Sequence, residues 1–146
     1  MMQTKSIIIA LDLEGTLISN AISQFPRPGL YSFLKYCRNN FSRIVIFTAV
    51  NELQFRNIAK TLVEQNKVPH WFASSEYINW SGRYKDLSFI PNTECDRVIL
   101  IDDREEYIKP EQKNSWIYIP GYDYPYSPND SELEKIVGKL SKLVVV

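Results

Sequence analysis

The sequence predicts an α/β fold with three layers, a mainly parallel five-stranded sheet with helices on both faces. Short apolar runs rich in β-branched residues alternate with stretches of helical periodicity, which is the pattern of strands joined by helical crossovers. Two of the apolar runs end abruptly in carboxylates, at the strand end where open α/β sheets carry their functional sites. With 146 residues the chain can bury a core of its own, and we expect one domain over residues 1–146.

Five segments have the composition of buried strands. The first, at residues 7–11, is an unbroken apolar run that stops at Asp12. The others lie at residues 44–47, 70–73, 97–101 and 115–119. The segment at 70–73 is the least regular of the five, and it begins with His70, the only histidine, for which we favour a structural or surface role. A polar, tyrosine-rich loop follows the last strand.

Three segments have apolar residues at helical spacing. These residues are Leu30, Phe33, Leu34 and Cys37 in the first, Phe55, Ile58, Ala59 and Leu62 in the second, and Leu133, Ile136, Val137, Leu140 and Leu143 in the third. Each set forms a single apolar stripe, as in a helix that packs on a sheet. Cys37 is therefore predicted to be a core residue rather than a reactive thiol.

The composition excludes several classes of function. The formal net charge is zero and no run of lysine or arginine occurs, so we expect neither nucleic acid nor a membrane as a partner. No apolar run approaches the roughly 20 residues of a membrane-spanning helix, and the first residues lack the small-residue cleavage site of a signal peptide. The two cysteines form no disulfide or metal framework. A cytoplasmic protein is the expectation.

Four strand or loop ends carry side chains that point to chemistry. Asp12 and Glu14 follow the first strand, Thr48 follows the second, and Asp102 and Asp103 end the fourth. In a parallel sheet these side chains meet at one edge. Acids gathered there repel one another unless a cation neutralises them. Oxygen ligands of this kind suit Mg²⁺.

Lys85, in the connection before the fourth strand, adds a positive charge to this set. An ammonium and the Thr48 hydroxyl are donors that a phosphoryl group needs around its oxygens. A carboxylate can also act as the nucleophile and form an acyl phosphate that water then cleaves. Phosphoryl chemistry with Mg²⁺ is therefore predicted from the residues themselves.

The same residues resemble the four motifs of the haloacid dehalogenase (HAD) superfamily. The motifs are Asp12-Leu13-Glu14-Gly15-Thr16-Leu17, Thr48, Lys85 and Asp102-Asp103, in this order and each after a matching strand or loop. Within the superfamily the chain is most similar to the phosphatases of the RNA polymerase II C-terminal domain, the NLI-interacting-factor-like group. Further segments that carry this similarity are Arg27-Pro28-Gly29-Leu30, Phe47-Thr48-Ala49, Tyr84-Lys85-Asp86-Leu87-Ser88 and Ile119-Pro120-Gly121. A Rossmann-like HAD fold is implied.

The resemblance implies a role for each site residue. Asp12 would attack the substrate phosphorus and bind Mg²⁺. Glu14 would give its backbone carbonyl to the metal, and its side chain would protonate the leaving group and then activate water. The phosphoryl oxygens would be held by Thr48 with Ala49 and by Lys85, which would also screen the charge of Asp12. The metal site would be completed by Asp102 and Asp103, directly or through water, with Asp102 ranked first as the direct ligand.

Glu14 departs from the Asp that the resembled phosphatases usually have at this position. The carboxylate is kept, but the extra methylene moves it, and a misplacement of about 1 Å can cost about 100-fold in rate. Three outcomes follow: a working phosphatase, a slow enzyme with a long-lived phospho-aspartate, or a domain that mainly binds. A binding module without turnover is therefore the second hypothesis.

The spacing of the motifs leaves no room for a cap domain. Asp12 and Thr48 are 36 positions apart, and Thr48 and Lys85 are 37 apart, which the predicted elements consume. The resemblance implies an open site for a phosphorylated substrate, with a phosphoprotein favoured over a small metabolite or a nucleic-acid 3′-end. Residues 71–84 either form the rim of this site or brace its loops. The apolar residues 144–146 either dock on the sheet or contact another subunit.

Overall fold

A computed structural model describes residues 2–3 and 6–145 of the chain. The strands are β1 (Met2–Gln3), β2 (Ile8–Leu11), β3 (Arg43–Ile46), β4 (Glu76–Tyr77), β5 (Val98–Asp102), β6 (Trp116–Tyr118) and β7 (Val144–Val145). The α-helices are α1 (Leu30–Asn40), α2 (Glu52–Glu64) and α3 (Glu132–Leu143). Several 3₁₀ helices lie in the connections, among them His70–Ser74, Leu87–Phe89, Cys95–Arg97, Glu105–Tyr107 and Pro110–Ser115.

The main sheet has five parallel strands in the order β4-β3-β2-β5-β6. The predicted three-layer α/β fold with a five-stranded sheet is confirmed. β2 lies at the centre, where Leu11 is level with Ile46 of β3 on one side and with Ile101 of β5 on the other. The chain first adds β3 and β4 on one side and then returns to add β5 and β6 on the other. The carboxyl end of β2 is therefore the switch point at which open α/β sheets form a crevice.

Helices cover both faces of the sheet, but they differ in kind. Residues Ile9, Leu11 and Ile101 pack against the apolar stripes of all three α-helices in one core cluster. Ala10 and Leu100 point to the other face, which is covered by the connections and their 3₁₀ helices, including Leu87, Ile90 and Ile108. The alternation along each strand follows from the pleat, which sends successive side chains to opposite faces. Cys37 is fully buried in the α-helical layer, as predicted. The prediction that Leu143 is buried is wrong, because this last residue of α3 is exposed.

The strand predicted at residues 70–73 is wrong, because this segment forms a 3₁₀ helix, His70–Ser74. A strand would bury alternate residues, but here Phe72 alone is fully buried, with its ring centroid 5.6 Å from that of Phe55 on α2. His70 is exposed, in line with a surface role. The edge strand of the sheet is β4, which follows two residues later.

The two ends of the described chain pair with each other. β1 and β7 form a separate two-stranded parallel sheet, with Met2 level with Val144 and Gln3 level with Val145. The apolar residues 144 and 145 therefore pair with β1 and do not join the five-stranded sheet. Val146 lies outside the described residues, and contact with another subunit stays a prediction.

Candidate active site

The candidate site lies at the carboxyl end of the main sheet, where three strands end side by side. Asp12 directly follows β2, Thr48 comes two residues after β3, and Asp102 is the last residue of β5. The backbone N–H of Asp12 donates to the carbonyl of Ile101 at 3.1 Å, so the sheet itself fixes the level of Asp12. These strand ends surround a cavity of about 370 Å³.

The cavity is lined by every residue for which the sequence predicted a site role. These residues are Asp12, Glu14, Thr48, Ala49, Lys85, Asp102 and Asp103. Further lining residues are Gly15, Ser19, Asn20, Arg104, Tyr107 and Asp123. The expected residues are thus brought to one place, while the chemical role of each stays a prediction.

Lys85 is the buried cation of this site. Its ammonium donates to Oδ1 of Asp12 at 2.8 Å and to Oδ2 of Asp102 at 2.6 Å, and only 1% of its side chain is exposed. Burial alone would lower the pKa of Lys85, but the two carboxylates outweigh burial and raise this pKa above its ordinary value. Lys85 therefore remains charged and holds two carboxylates side by side.

The loop that carries Lys85 is anchored to the connection after β5. The backbone N–H of Lys85 donates to the carbonyl of Tyr107 at 2.8 Å, and the ring of Tyr107 lies 5.1 Å from the ammonium. The next residue, Asp86, accepts hydrogen bonds from Lys109 and Gln112, both at 2.9 Å. These contacts place the ammonium at the cavity although Lys85 belongs to no strand or helix.

Asp12 is held at both carboxylate oxygens. Lys85 donates to Oδ1, and the hydroxyl of Thr16 donates to Oδ2 at 2.7 Å. Thr16 is fully buried and Asp12 is 5% exposed. The carboxylate of Asp12 therefore has one fixed orientation at the floor of the cavity.

Asp103 fits between two glycines. Gly15 has φ +78°, a conformation that side chains rarely adopt, and a Cβ at this position would overlap Oδ2 of Asp103. A Cβ at Gly121 would lie 3.1 Å from the same oxygen and 2.8 Å from Oδ2 of Asp123. The turn after β2 thus requires a glycine both for its backbone and for the room that Asp103 occupies.

Three carboxylates come together beside Lys85. One oxygen each from Asp12, Asp102 and Asp103 lies within 4.8 Å of the other two. Burial, together with the neighbouring Asp12, raises the pKa of Asp102 to about 6 and that of Asp103 to about 8. Acids that oppose one another's ionisation in this way are stabilised as anions by a bound cation. An all-oxygen set of this kind fits Mg²⁺.

Glu14 lies at one side of the cavity and contacts the segment above it. Its Oε2 accepts a hydrogen bond from the backbone N–H of Ala21 at 2.8 Å. Ala21 belongs to residues 18–26, which we call the flap. The flap is tied down by Ile18, which bridges to both Glu14 and Pro26.

Aromatic residues near the site brace its loops. Thr48 is 1% exposed, its hydroxyl accepts from the N–H of Val50 at 3.1 Å, and its carbonyl accepts from Nε1 of Trp80 at 2.7 Å. The Trp80 ring packs edge-on against Phe47 and Tyr107. Of the two interpretations of residues 71–84, bracing therefore applies to Trp80.

Arg27 is a second buried cation, at the base of the flap. Its guanidinium donates to the carbonyls of Gly15, Thr16 and Pro120 at 3.0, 3.3 and 2.6 Å. It also donates twice to the carboxylate of Asp130, at 2.8 and 3.2 Å. Its side chain is 0% exposed. Arg27 thus joins the turn after β2, the residues after β6 and the start of α3.

Sequence reasoning assigned no role to several residues of the site. Arg104 donates its N–H to Oδ1 of Asp102 at 3.0 Å, which fixes the second oxygen of that carboxylate. Asp123 comes from the tyrosine-rich loop, where a single acid carries no pattern. Thr16 lies within the motif Asp12-Leu13-Glu14-Gly15-Thr16-Leu17, and its spacing of four from Asp12 is the one signal that could have identified its contact.

Comparisons with known proteins agree with the geometry. A sequence model of the family described as NLI interacting factor-like phosphatase matches residues 7–145. The chain belongs to this family. The match confirms the resemblance to the capless HAD-type group and supports a phosphatase at the level of the family.

Two similar curated proteins in this family are subunits tim50 of the mitochondrial import inner membrane translocase, from Aspergillus fumigatus and Emericella nidulans. Each is 30% identical to the chain over 117 residues, which cover 75% of this chain. The chain spans only 23% and 21% of the length of these two relatives. A third relative, "Putative CTD phosphatase-like protein 355R" of Invertebrate iridescent virus 3, is 29% identical, with 93% of this chain and 96% of the relative covered.

A similar solved structure is that of the fission yeast RNA polymerase II CTD phosphatase Fcp1 bound to beryllium fluoride. It matches with a TM-score of 0.57 at 14% identity, over 97% of this chain and 51% of that chain. At this identity the likeness establishes the fold. Among the described residues, the structure contains no helix that is both long enough and apolar enough to span a membrane.

Proposed function

We propose that the chain is a Mg²⁺-dependent phosphomonoesterase that transfers the phosphoryl group to Asp12 and then to water. The observation that carries the proposal is the setting of Asp12. Its carboxylate is fixed by Lys85 and Thr16 at the floor of an open cavity. A nucleophile held in one orientation needs little rearrangement to reach an incoming phosphorus.

The first step transfers the phosphoryl group to the protein. An oxygen of Asp12 attacks phosphorus, the bond from phosphorus to the leaving oxygen breaks, and that oxygen takes the proton of the Glu14 carboxylic acid. In the second step water attacks phosphorus and gives a proton to the Glu14 carboxylate. The bond from phosphorus to Asp12 breaks and inorganic phosphate leaves.

Lys85, Thr48 and the backbone at Ala49 hold the phosphoryl oxygens during both steps. All three line the cavity with Asp12. In phosphoryl transfer the protein contributes mainly position and charge, and an ammonium and a hydroxyl supply both. Lys85 contacts Asp12 directly, so it also reduces repulsion between this carboxylate and an anionic substrate.

Mg²⁺ would be held by Asp12, Asp103 and the carbonyl of Glu14. When bound, Mg²⁺ neutralises charge on the phosphoryl oxygens. We rank Asp103 ahead of Asp102 as the direct ligand, the reverse of the order expected from the sequence. Asp102 is fully buried, and its oxygens are bonded to Lys85 and to the N–H of Arg104, whereas Asp103 is only partly buried and is more accessible from the cavity. Asp102 would therefore mainly hold Lys85 in place.

A phosphorylated protein is the favoured substrate. The cavity opens at the carboxyl end of the sheet, and in the part of the chain that the structure describes no inserted cap domain stands between the motifs. The fission yeast relative is a phosphatase of the RNA polymerase II CTD, which is consistent with a protein substrate. A small phosphorylated metabolite stays the weaker choice.

A binding module without turnover is the second candidate. Two of the similar proteins are subunits of a mitochondrial import inner membrane translocase, which suggests a role in protein interaction. Both candidates predict phosphate binding, so turnover is the property that distinguishes them.

The test is phosphate release from p-nitrophenyl phosphate in Mg²⁺ and in EDTA. We expect release by wild type in Mg²⁺, and a fall of at least about 1,000-fold in Asp12→Asn because the nucleophile is lost. Asp96→Asn makes the same chemical change on the exposed surface and is the matched control. If the wild type releases no phosphate in Mg²⁺, or releases it no faster than Asp12→Asn, the phosphatase is rejected in favour of the binding module.

A further inference from the structure

The contact between Glu14 and the flap is a defined hydrogen bond. Oε2 of Glu14 accepts from the backbone N–H of Ala21 at 2.8 Å, and the contact is partly buried. Glu14 also lines the cavity that contains Asp12. The acid–base candidate is therefore attached to a backbone atom of another segment.

The turn that presents this N–H is itself fixed. Oδ1 of Asn20 accepts from the N–H groups of Ile22 and Ser23 at 2.9 and 2.8 Å. The carbonyl of Asn20 accepts from the N–H of Gln24 at 2.9 Å. Ala21 is the first residue of the turn, and its N–H points to Glu14. These three hydrogen bonds hold the turn in place, so the Ala21 N–H can fix the position of the flexible Glu14 side chain.

The length of the side chain decides whether this contact can form. An aspartate at position 14 would carry its carboxylate one methylene closer to the backbone, out of hydrogen-bond reach of the Ala21 N–H. A hydrogen bond weakens steeply when its heavy atoms move beyond about 3.2 Å. The extra methylene of glutamate therefore matches the distance between the turn after β2 and the flap.

We propose that the backbone N–H of Ala21 positions the Glu14 carboxylate for proton transfer, so that glutamate is the residue fitted to this flap. The inference rests on the proposed phosphatase function and extends it to a positioning group outside the family motifs. As a consequence, Glu14→Asp is expected to lower the rate of phosphate release instead of raising it.

The effect of a misplaced Glu14 on the reaction rate depends on the leaving group of the substrate. Phosphoserine leaves as an alkoxide, which needs a proton from a positioned acid. p-Nitrophenyl phosphate leaves as a stable phenolate and depends far less on that proton. A misplaced Glu14 therefore slows phosphoserine more than p-nitrophenyl phosphate, whereas a general structural defect slows both alike.

Ala21→Pro removes the N–H that contacts Glu14. Asn20 caps the turn with its side chain, so Ala21 occupies the first position after a cap, where the fixed φ of proline is well accepted. Ala21→Gly changes the same position but keeps the N–H, and it is the matched control. The free energy of unfolding of both variants shows whether the fold is intact.

We expect the ratio of kcat/KM for phosphoserine to kcat/KM for p-nitrophenyl phosphate to fall at least about tenfold in Ala21→Pro relative to Ala21→Gly, within the range that acid–base catalysis contributes. The same fall in this ratio is expected in Glu14→Asp relative to wild type. Equal ratios, or a Glu14→Asp variant faster than wild type, would overturn the inference.

A second readout needs no turnover and separates this inference from the proposed function. Amide hydrogen exchange at Ala21 is expected to be about fivefold faster in Glu14→Asp than in wild type, the effect of losing one hydrogen bond. Unchanged exchange would overturn the positioning contact even in an active enzyme. Wild type without phosphate release would instead reject the phosphatase, whatever the exchange rates.

Discussion

Arg27 and Lys85 are both buried cations near the turn after β2, but they are balanced in different ways. Arg27 meets one carboxylate, Asp130, and its other partners are neutral backbone carbonyls. Lys85 meets two carboxylates, and Asp103 stands beside them.

The difference separates structural from functional charge. One cation with one anion and three carbonyls is a satisfied arrangement that needs nothing further. One cation among three acids leaves negative charge in excess, which adds to the effect of burial in raising the pKa values of Asp102 and Asp103. The excess is what a divalent cation would neutralise. We therefore expect Arg27 to stabilise the fold, and we propose that the site around Lys85 binds a ligand.

The largest expected effect is on stability, from Arg27→Met. The change removes five hydrogen bonds and leaves the carboxylate of Asp130 without its partner. Breaking a buried pair of this kind costs about 3–5 kcal/mol. Urea unfolding measures the loss, and Arg38→Met, at an exposed position, is the control. A loss equal to that of the control would contradict the structural role of Arg27.

Lys85→Met tests the other side of the comparison. Removing a cation that contacts the reacting groups is expected to lower kcat by about 100–1,000-fold. The loss of stability is expected to be smaller than for Arg27→Met, because Asp102, whose pKa is already raised, takes up a proton. Phosphate release and urea unfolding of the same sample give both numbers. A variant with normal kcat but a large loss of stability would assign Lys85 a structural role like that of Arg27.

Gly15→Ala combines backbone strain with damage to the acid cluster. Gly15 and Gly29 both have positive φ, +78° and +83°, so alanine at either is expected to cost about 1–3 kcal/mol. A Cβ at Gly15 displaces Asp103, whereas a Cβ at Gly29 meets no atom within 4 Å. Only Gly15→Ala should therefore weaken the stabilisation by Mg²⁺ in thermal unfolding. Equal stabilisation in both variants would exclude Asp103 from the metal site.

The smallest effect is the dependence of Mg²⁺ stabilisation on pH. Carboxylates with pKa values raised to about 6 and about 8 favour the folded state only while protonated. Their contribution is complete below about pH 4 and is lost as pH rises through these values. Mg²⁺ binds the ionised form and restores the loss. Its effect on Tm should grow by about 2–4 °C from pH 6 to pH 8, as about 1 kcal/mol would produce. A constant effect would contradict the charge excess.

The sheet and most of the acid cluster could be predicted from the sequence. The run at residues 7–11 is apolar and rich in β-branched residues, so it predicts a buried strand. The end of that strand places Asp12 at the carboxyl edge of the sheet. Because parallel strands end at one edge, the approach of Thr48 and Asp102 followed from topology alone. Local pattern and topology agree at these positions.

Other features depend on tertiary structure and could not be predicted. Arg27 lies between two prolines in a loop, where arginine is usually exposed, and only the meeting of three segments buries it. Phe72 packs on α2 through a 3₁₀ helix, which a short aromatic run does not distinguish from a strand. The contact of Glu14 with Ala21 depends on the distance between the flap and the turn after β2. Its sequence signal, one extra methylene at position 14, is compatible with a working phosphatase, a slow enzyme or a binding module, and it indicates no contact with residue 21.

The most direct test of the central claim is to locate the phosphoryl group. Wild type is mixed with p-nitrophenyl phosphate and Mg²⁺, quenched in acid and mapped by mass spectrometry. We predict a phosphoryl adduct on Asp12, absent in EDTA and in Asp12→Asn. Steady phosphate release with an adduct on another residue, or with none during rapid-quench sampling, would contradict the assignment of Asp12 as the nucleophile.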